Sequence, residues 1–181
     1  MKQAKIEEEV KIPEGVEVTI NGNVFSAKGP KGENKRILAS PKIKIEKKEG
    51  NIIISAVKAS RREKRDVGSF TSHIKNIVNG VKEPYIYKLK ICSGHFPMNV
   101  SSTKEELQVK NFLGETIPRK LKLRKGVDVK VEGEIITVEA VDKELAGQTA
   151  ADIEQLTRIT NRDRRIFQDG IWITEKIGKK M

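Results

Sequence analysis

Short stretches in which apolar and polar residues alternate recur along the chain and predict β-strands. In the first half, Val16, Val18 and Ile20 alternate with polar residues and meet Asn21-Gly22, a dipeptide typical of two-residue hairpin turns. The second half repeats this pattern. The strands predicted in this way lie at 16–20, 24–28, around Ile43 and Ile45, at 52–56, around Tyr87, Leu89 and Ile91, at 127–131 and at 135–140, with turns at 49–51 and 132–134.

Each half also contains one late stretch with apolar residues at helical spacing. Asn79-Gly80 is predicted to end the first helix, and the second is predicted to run from about Leu145 to Thr160. Antiparallel strands with one helix laid across them make an α+β fold. The apolar positions are Val67, Phe70, Ile74, Ile77, Val78 and Val81 in the first helix, and Ala146, Ala150, Ile153 and Leu156 in the second.

Three blocks of the first half recur in the same order in the second half, at offsets of 82, 83 and 79 residues. Small loop insertions would produce such drifting offsets, so a duplication is favoured over chance. The sequence therefore predicts two duplicated domains, 1–82 and 83–181, each an antiparallel β-sheet packed against one main helix, with a hinge at Lys82-Glu83-Pro84 because proline cannot continue a helix. The blocks pair Val18-Thr19, Lys28, Gly32 and Glu33 with Val100-Ser101, Lys110, Gly114 and Glu115; Glu49 to Ile53 with Glu132 to Ile136; and Gly68, Ile74 and Ile77 with Gly147, Ile153 and Leu156.

The composition favours a polyanionic partner. The 181 residues include 36 Lys and Arg against 25 Asp and Glu, a net charge of +11, and the pI is near 9.7. Basic side chains that neutralise phosphates release condensed counterions. Aromatic residues are only 4%, so stacking of unpaired bases cannot be the main mode of binding. Folded RNA read through its backbone and shape is the partner that fits.

The chain is expected to be a cytoplasmic protein. Its single cysteine, Cys92, excludes a disulfide within the chain and indicates a reducing compartment. The first fifteen residues are charged and lack the apolar core of a signal peptide. No apolar run approaches the roughly 20 residues that cross a bilayer, so no membrane partner is predicted.

Candidate chemistry is sparse. Cys92-Ser93-Gly94-His95 suggests a metal pair, but zinc needs three or four ligands and His73 is the only other histidine; no metal or cofactor is predicted. Gly29-Pro30-Lys31-Gly32 has the G-x-x-G spacing of a KH loop, yet it lies between predicted strands and is interpreted as a turn. Nucleophile, nucleotide and metalloenzyme motifs are missing, which predicts that the chain is not an enzyme.

Three basic segments are candidates for phosphate contact. The strongest is the tail, defined here as residues 158–180; its Phe167, its predicted turn at Asp169-Gly170 and its run Ile171-Trp172-Ile173 indicate an ordered surface rather than a loose arm. In 118–125 the alternation turns Leu121 and Leu123 inward and the basic residues between them outward. A possible secondary site opens the first helix, where basic residues oppose the helix dipole. The candidate residues are Arg158, Arg162, Arg164, Arg165, Lys176, Lys179 and Lys180 in the tail; Arg119, Lys120, Lys122 and Arg124 in the strand; and Arg61, Arg62, Lys64 and Arg65 at the helix.

The tail and the segment from His95 to Val100 together resemble a known family. From Gln155 to Lys176 the pattern resembles, position by position, the carboxy-terminal signature of large-subunit ribosomal protein six in its archaeal and eukaryotic form. Trp172 stands where that pattern has tyrosine, another large aromatic with a polar atom. The signature residues are Gln155, Ile159, Arg162, Arg165, Phe167, Asp169, Gly170, Ile171, Trp172, Ile173 and Lys176.

The resemblance implies a structural protein of the large ribosomal subunit that binds large-subunit rRNA, chiefly through the second domain and its tail. It implies a place near the stalk base and the sarcin–ricin loop, with ribosomal proteins of the stalk base as neighbours, translational GTPases docking nearby, and a monomer within the ribosome. Two alternatives stay open at this point: a free-standing regulatory protein that binds RNA or DNA, and an RNA-processing enzyme that uses scattered carboxylates.

Overall fold

Six strands and one helix form the first of two units, Met1–Pro84, in the computed structural model, which describes residues 3–48, 50–94 and 96–181. The strands make two antiparallel three-stranded sheets, of order β1-β6-β5 and β2-β3-β4. Helix α1 packs on both sheets. The elements are β1 (Gln3–Lys11), β2 (Glu17–Asn21), β3 (Val24–Gly29), β4 (Gly32–Ile37), β5 (Ile43–Lys48), β6 (Asn51–Ala59) and α1 (Arg61–Lys82).

The second unit, Tyr85–Met181, repeats this plan and extends it. Strands β10-β9-β8 form a small sheet, and the large sheet has the order β11-β12-β7-β13-β14. Strand β7 therefore corresponds to β1, β12 to β6 and β11 to β5, whereas β13 and β14 are additions. The elements are β7 (Tyr85–Cys92), β8 (Asn99–Ser102), β9 (Glu106–Lys110), a 3-10 turn (Phe112–Gly114), β10 (Arg119–Lys122), β11 (Val127–Glu132), β12 (Ile135–Ala140), α2 (Lys143–Leu156), β13 (Gly170–Lys176) and β14 (Lys179–Lys180).

The α+β fold class and the hairpins predicted from alternation are confirmed. At the predicted turn at 49–51, Gly50 has a φ of +84°, a left-handed conformation that glycine adopts readily; Glu49 lies outside the described residues. The sequence analysis missed strands β1, β4, β8 and β9, although Leu107 and Val109 of β9 alternate with polar residues and are fully buried. It also did not predict the pairing of β13 with β7.

The first helix does not end at Asn79-Gly80, as the sequence analysis predicted, but continues to Lys82. Val81 is fully buried, and its carbonyl oxygen accepts a hydrogen bond of 3.1 Å from the Lys31 N–H. The turn that contains Lys31 approaches so closely that a Cβ on Gly29 would lie 2.6 Å from this oxygen. Tertiary packing therefore carries the helix past its local stop signal, and the Gly29–Gly32 segment is a turn between strands β3 and β4.

The second helix ends at Leu156, four residues before the predicted Thr160. Thr157 is buried, and its hydroxyl donates to the Glu154 carbonyl (3.2 Å) and accepts from the Ile171 N–H (2.9 Å). This hydroxyl ties the end of the helix to the first residues of β13. Of the predicted inward residues, Ala146, Ala150 and Ile153 are buried and Leu156 is partly buried.

Each unit has its own buried core. In the second unit the core joins the inner faces of β7, β9 and β12 to the buried face of α2. No helix among the described residues has the length and apolar character needed to cross a membrane. The largest fully buried side chains are Phe25, Ile52, Ile54, Ile74, Val67 and Val78 in the first unit, and Leu89, Leu107, Phe112, Ile136, Ile153 and Ile171 in the second.

Candidate nucleic-acid interface

The tail leaves α2 as a loop and returns to the large sheet as β13, antiparallel to β7. Ile171 lies opposite Ile91 and is 1% exposed. The Glu154 carboxylate accepts from the Ile173 N–H at 3.3 Å, and the Asp169 carboxylate accepts from the Gly94 N–H. These contacts hold both ends of the loop, so the tail is an ordered surface, as the sequence analysis predicted.

The loop itself is folded around Asp163. Its carbonyl oxygen accepts from the N–H groups of Ile166 (3.1 Å) and Phe167 (2.9 Å), and its carboxylate accepts from the Arg165 N–H (2.9 Å). A carboxylate that binds the backbone two residues on makes an Asx-turn. The turn therefore lies at 163–167, and the predicted turn at Asp169-Gly170 is wrong: Asp169 leads straight into β13.

Two aromatic rings position two of the tail arginines. The Arg162 guanidinium carbon lies 4.8 Å from the centre of the Phe167 ring, and that of Arg164 lies 5.6 Å from the Trp172 ring. Such contacts are cation–π interactions. The Trp172 N–H in turn donates to the Gln168 carbonyl at 3.3 Å. The rings thus restrict arginines that remain exposed to solvent.

Arg165 is arranged differently. Its guanidinium clasps the Asp163 carboxylate, with Nη2 2.7 Å from Oδ2 and Nε 3.1 Å from Oδ1. These hydrogen bonds hold the pKa of Asp163 below its usual range and raise the pKa of Arg165. The Arg165 side chain is 90% exposed, so the pair adds little stability. It does, however, offset the charge of Arg165.

A cleft lies between the loop and the end of α2. It has a volume of about 200 Å³ and is walled by the side chains of Arg158, Arg164, Ile159 and Trp172. Arg158 is exposed at its rim. The remaining predicted tail residues, Lys176, Lys179 and Lys180, are exposed on the β13–β14 hairpin.

Two of the four residues predicted in 118–125 to bind rRNA are exposed on strand β10. These are Lys120 and Lys122, whereas Leu123 is buried in the core, as the alternation predicted. Lys120 lies 3.5 Å from the Glu106 carboxylate, and Arg124 just after the strand lies 3.0 Å from the Asp152 carboxylate.

Arg119, also predicted to bind rRNA, points inward instead. Its guanidinium donates to both oxygens of Glu115 (2.6 and 2.8 Å) and to the Leu156 carbonyl (2.8 Å), and it stacks 4.3 Å from the Phe112 ring centre. The hydrogen bonds from Arg119 lower the pKa of Glu115. Arg119 therefore ties β10 to the end of α2. Arg119 lies two residues before Leu121 and therefore on the same, inward face of the strand. This spacing is the signal in the sequence that could have predicted its inward orientation.

The predicted secondary site lies at the start of α1, in the first unit. Arg61, Arg62, Lys64 and Arg65 are exposed there, and Arg65 pairs with Asp66 at 3.2 Å. The sequence analysis missed the capping box in this segment. Its signal was Ser60 followed three residues later by glutamate.

In the capping box, the Ser60 N–H donates to the Glu63 carboxylate at 2.8 Å and the Ser60 hydroxyl accepts from the Arg62 N–H. The Lys42 ammonium also donates to Glu63, at 2.8 Å. The hydrogen bond from Lys42, followed by those from Ser60, lowers the pKa of Glu63 to about 2. A buried carboxylate therefore compensates for basic residues that oppose the helix dipole.

Comparison with known proteins identifies the chain. The family model for ribosomal protein L6 matches residues 12–84 and 96–170, one segment in each unit. A large ribosomal subunit protein uL6 from Methanosarcina mazei is 47% identical over 167 residues, which cover 92% of this chain and 95% of that protein. One from Methanobrevibacter smithii is 41% identical over 173 residues, covering 96% and 97%. The chain belongs to the ribosomal protein L6 family.

Membership in the L6 family confirms the resemblance and settles the class of protein. L6 is a structural protein, so the chain is not an enzyme, and the alternative of an RNA-processing enzyme is dropped. The alternative of a free-standing regulatory protein is not favoured. Of the suggested metal pair, Cys92 is half-buried and His95 lies outside the described residues; among those that are described, no group of three or more His, Cys, Asp and Glu could hold a metal ion.

The charge of this L6 chain is distributed unevenly within its second unit. Residues 85–181 contain 18 Lys and Arg and 14 Asp and Glu, a net charge of +4. The tail alone contains seven and three, which is also +4. The rest of the unit is therefore neutral in sum, and the basic excess of the second unit lies entirely in the ordered tail.

Proposed function

We propose that this chain is a structural constituent of the large ribosomal subunit and binds large-subunit rRNA through the tail and the outer face of β10. The observation that carries the proposal is the set of exposed arginines held by aromatic rings on a loop that is hydrogen-bonded at both ends. Side chains restricted before binding lose less conformational entropy when they bind. The relatives from Methanosarcina and Methanobrevibacter are both large-subunit proteins, which supports the assignment to that subunit.

The residues proposed to contact phosphates are those that the structure leaves exposed. Arg119 is left out because its donors are occupied within the unit. Arg165, Lys120 and Arg124 are exposed and are kept, although Asp163, Glu106 and Asp152 each offset part of their charge. The start of α1 is proposed as a secondary contact. The proposed rRNA-binding residues are Arg158, Arg162, Arg164, Arg165, Lys176, Lys179, Lys180, Lys120, Lys122 and Arg124, with Arg61, Arg62, Lys64 and Arg65 as the secondary set.

The proposed position is the region of the stalk base and the sarcin–ricin loop, where the chain would support the site at which translational GTPases dock. The family resemblance motivates this position. Its test is chemical footprinting of large subunits reconstituted with and without the chain. Protection confined to rRNA elsewhere in the subunit would reject the position while leaving rRNA binding intact.

The experiment on the interface uses two matched triple variants. Replacing Arg158, Arg162 and Arg164 by Ala removes three charges from the tail; replacing Lys104, Lys110 and Lys130 by Ala removes three exposed charges from the same unit outside the proposed surface. The arginine variant should weaken binding to large-subunit rRNA and reduce the salt slope by roughly one for each lost phosphate contact.

The lysine variant should bind nearly as the parent chain does. Equal losses in the two variants would mean that net charge, rather than the tail, governs binding. Co-sedimentation with the large subunit through a high-salt wash is the accompanying test of subunit membership. A chain that washes off as a weak nucleic-acid binder would contradict the structural role.

A further inference from the structure

The two units differ at one edge of their equivalent sheets. Strand β7 of the second unit pairs with β12 on one side and with β13 on the other. Strand β1 holds the same place in the first unit and pairs with β6, but no strand of the described residues covers its outer side. The outer edge of this strand is therefore covered by the seven-residue β13 in the second unit, whereas the described residues leave the equivalent edge of β1 uncovered in the first.

The open edge offers a regular row of backbone groups. The Ile12 N–H donates to the Gly50 carbonyl at 3.0 Å, just beyond the pair Lys11–Asn51. Along an antiparallel strand, the backbone N–H and C=O groups of successive residues point alternately toward and away from the neighbouring strand. Those of Ile6, Glu8 and Val10 therefore hydrogen-bond to β6. The N–H and C=O groups that face outward belong to Lys5, Glu7, Glu9 and Lys11, and they span roughly 20 Å.

The negative charge of this edge indicates which kinds of molecule could bind there. Glu7, Glu8 and Glu9 are exposed in the middle of β1, with Lys5 paired to Glu7 and the Asn51 amide bound to Glu9. Three adjacent carboxylates repel RNA phosphates. They stand out in a unit with 18 Lys and Arg against 11 Asp and Glu, a net charge of +7.

The same carboxylates disfavour a second copy of the chain. Antiparallel pairing of two β1 strands about Glu8 would place Glu7 opposite Glu9 and each Glu8 opposite the other. Like charges directly opposite each other are destabilising. A strand with Lys or Arg at these positions would instead form favourable cross-strand pairs.

We propose that the outer edge of β1 is a docking site for an extended, basic segment of another protein, which adds to the sheet as a further strand. Strand addition at a sheet edge is a general mode of peptide recognition, in which backbone hydrogen bonds provide affinity and side chains provide selectivity. The inference rests on the proposed function in one respect: the natural partner is sought among the proteins of the large subunit.

A peptide experiment tests the edge in the isolated protein. The probe is a blocked heptapeptide of alternating Lys and Val, and the control probe alternates Glu and Val. The basic peptide should shift the amide resonances of Lys5, Glu7, Glu9 and Lys11 in NMR spectra, and the acidic peptide should not. The Lys side chains of this peptide share one face, so they can lie opposite Glu7 and Glu9, which share a face of β1. Replacing Glu7, Glu8 and Glu9 together by Gln should therefore weaken binding roughly tenfold through the loss of two cross-strand charge pairs.

A second variant separates the edge from the fold. Glu7→Pro removes an outward N–H and leaves the ladder to β6 intact, a placement that edge strands tolerate. It should abolish peptide binding with little change in the melting temperature. Shifts at other sites only, or equal binding of the two peptides, would overturn the proposal. Undiminished binding by Glu7→Pro would overturn strand addition.

A cross-linking experiment then seeks the natural partner. A photo-reactive benzoylphenylalanine at position 7 in assembled large subunits should cross-link to a Lys- or Arg-rich extended segment of one ribosomal protein. A cross-link to rRNA, to a second copy, or to nothing would overturn the partner. Absence of the chain from the subunit, together with edge binding of the basic peptide, would reject the proposed function and leave the docking edge standing.

Discussion

The two units share one arrangement of strands and helix, and they differ in what is added to it. Both place a helix on two antiparallel sheets, and one sheet of each unit contains the equivalent strand orders β5-β6-β1 and β11-β12-β7. The second unit adds β13, β14 and the loop before them, and these additions carry its entire basic excess. The first unit has the larger net charge, +7 against +4, but spreads it over sheets and helix. Placement of charge, rather than its amount, distinguishes the two.

Separating the units gives the largest expected effect. We predict that residues 83–181 fold alone and keep most of the rRNA affinity, because the repeat makes each unit self-contained and the tail lies in the second. Total charge alone would favour residues 1–82. The two fragments, each first shown to be folded by circular dichroism, are compared for binding at equal salt. Tighter binding by the first fragment would overturn the division of labour.

The largest expected effect on stability comes from truncating Ile171, the buried residue that anchors β13 in the core of the second unit. Ile171 is 1% exposed and packs in the core, so Ile171→Ala should destabilise the unit by about 3 kcal/mol. Ile177→Ala, at a residue 40% exposed in the β13–β14 turn, is the control. Denaturant titration of the two variants measures the difference. Similar midpoints would show that β13 is dispensable for the fold.

Trp172 should act on both stability and binding. The indole is half-buried rather than enclosed, so Trp172→Ala should cost about 2 kcal/mol, less than the roughly 3–5 kcal/mol of a fully buried ring. It should also lower rRNA affinity at unchanged net charge, because Arg164 loses the ring that positions it.

The intrinsic fluorescence of Trp172, the only tryptophan, should lie between that of a buried and a solvated indole. If it matched free tryptophan, and if the variant kept parental stability and affinity, the tail would be a flexible arm.

Local pattern predicted much of this fold, and tertiary contacts decided the rest. Strands with apolar alternation, such as β7 and β12, were foreseen because their buried faces appear directly in the sequence. Strand β4 carries mostly charged and polar residues, so its pairing with β3 leaves little trace. The end of α1 depends on the distant Gly29–Lys31 turn, which local helix signals cannot register.

The proposed interface was also only partly predictable, because the local sequence pattern shows the basic segments but not the tertiary contacts of each side chain. The signature of the tail identified the ordered segment, but charge alone could not separate Arg119 from Lys120. Packing of the Arg119 guanidinium against Phe112 and Glu115 depends on residues in and beside a turn that the sequence analysis did not predict.

The smallest expected effect concerns how the helices of the two units begin. Both have side-chain caps, Ser60 for α1 and Asp142 for α2, but α1 has a full capping box and a basic first turn. Ser60→Ala should destabilise the first unit by about 1 kcal/mol. The contribution of Glu63 should depend on pH, because its pKa is lowered to about 2, chiefly by the hydrogen bond from Lys42.

A carboxylate with a lowered pKa contributes fully above its unfolded pKa, about 4.5 for Glu63, and loses that contribution as the pH falls toward about 2. Glu63→Gln should therefore flatten the decline of stability between these two pH values and have its largest effect near neutrality. Denaturant titrations of residues 1–82, with and without the substitution, measure this from pH 2 to 7. Parallel curves across the window would mean that Glu63 is not held by Lys42 and Ser60, and that the basic start of α1 is tolerated without a compensating carboxylate.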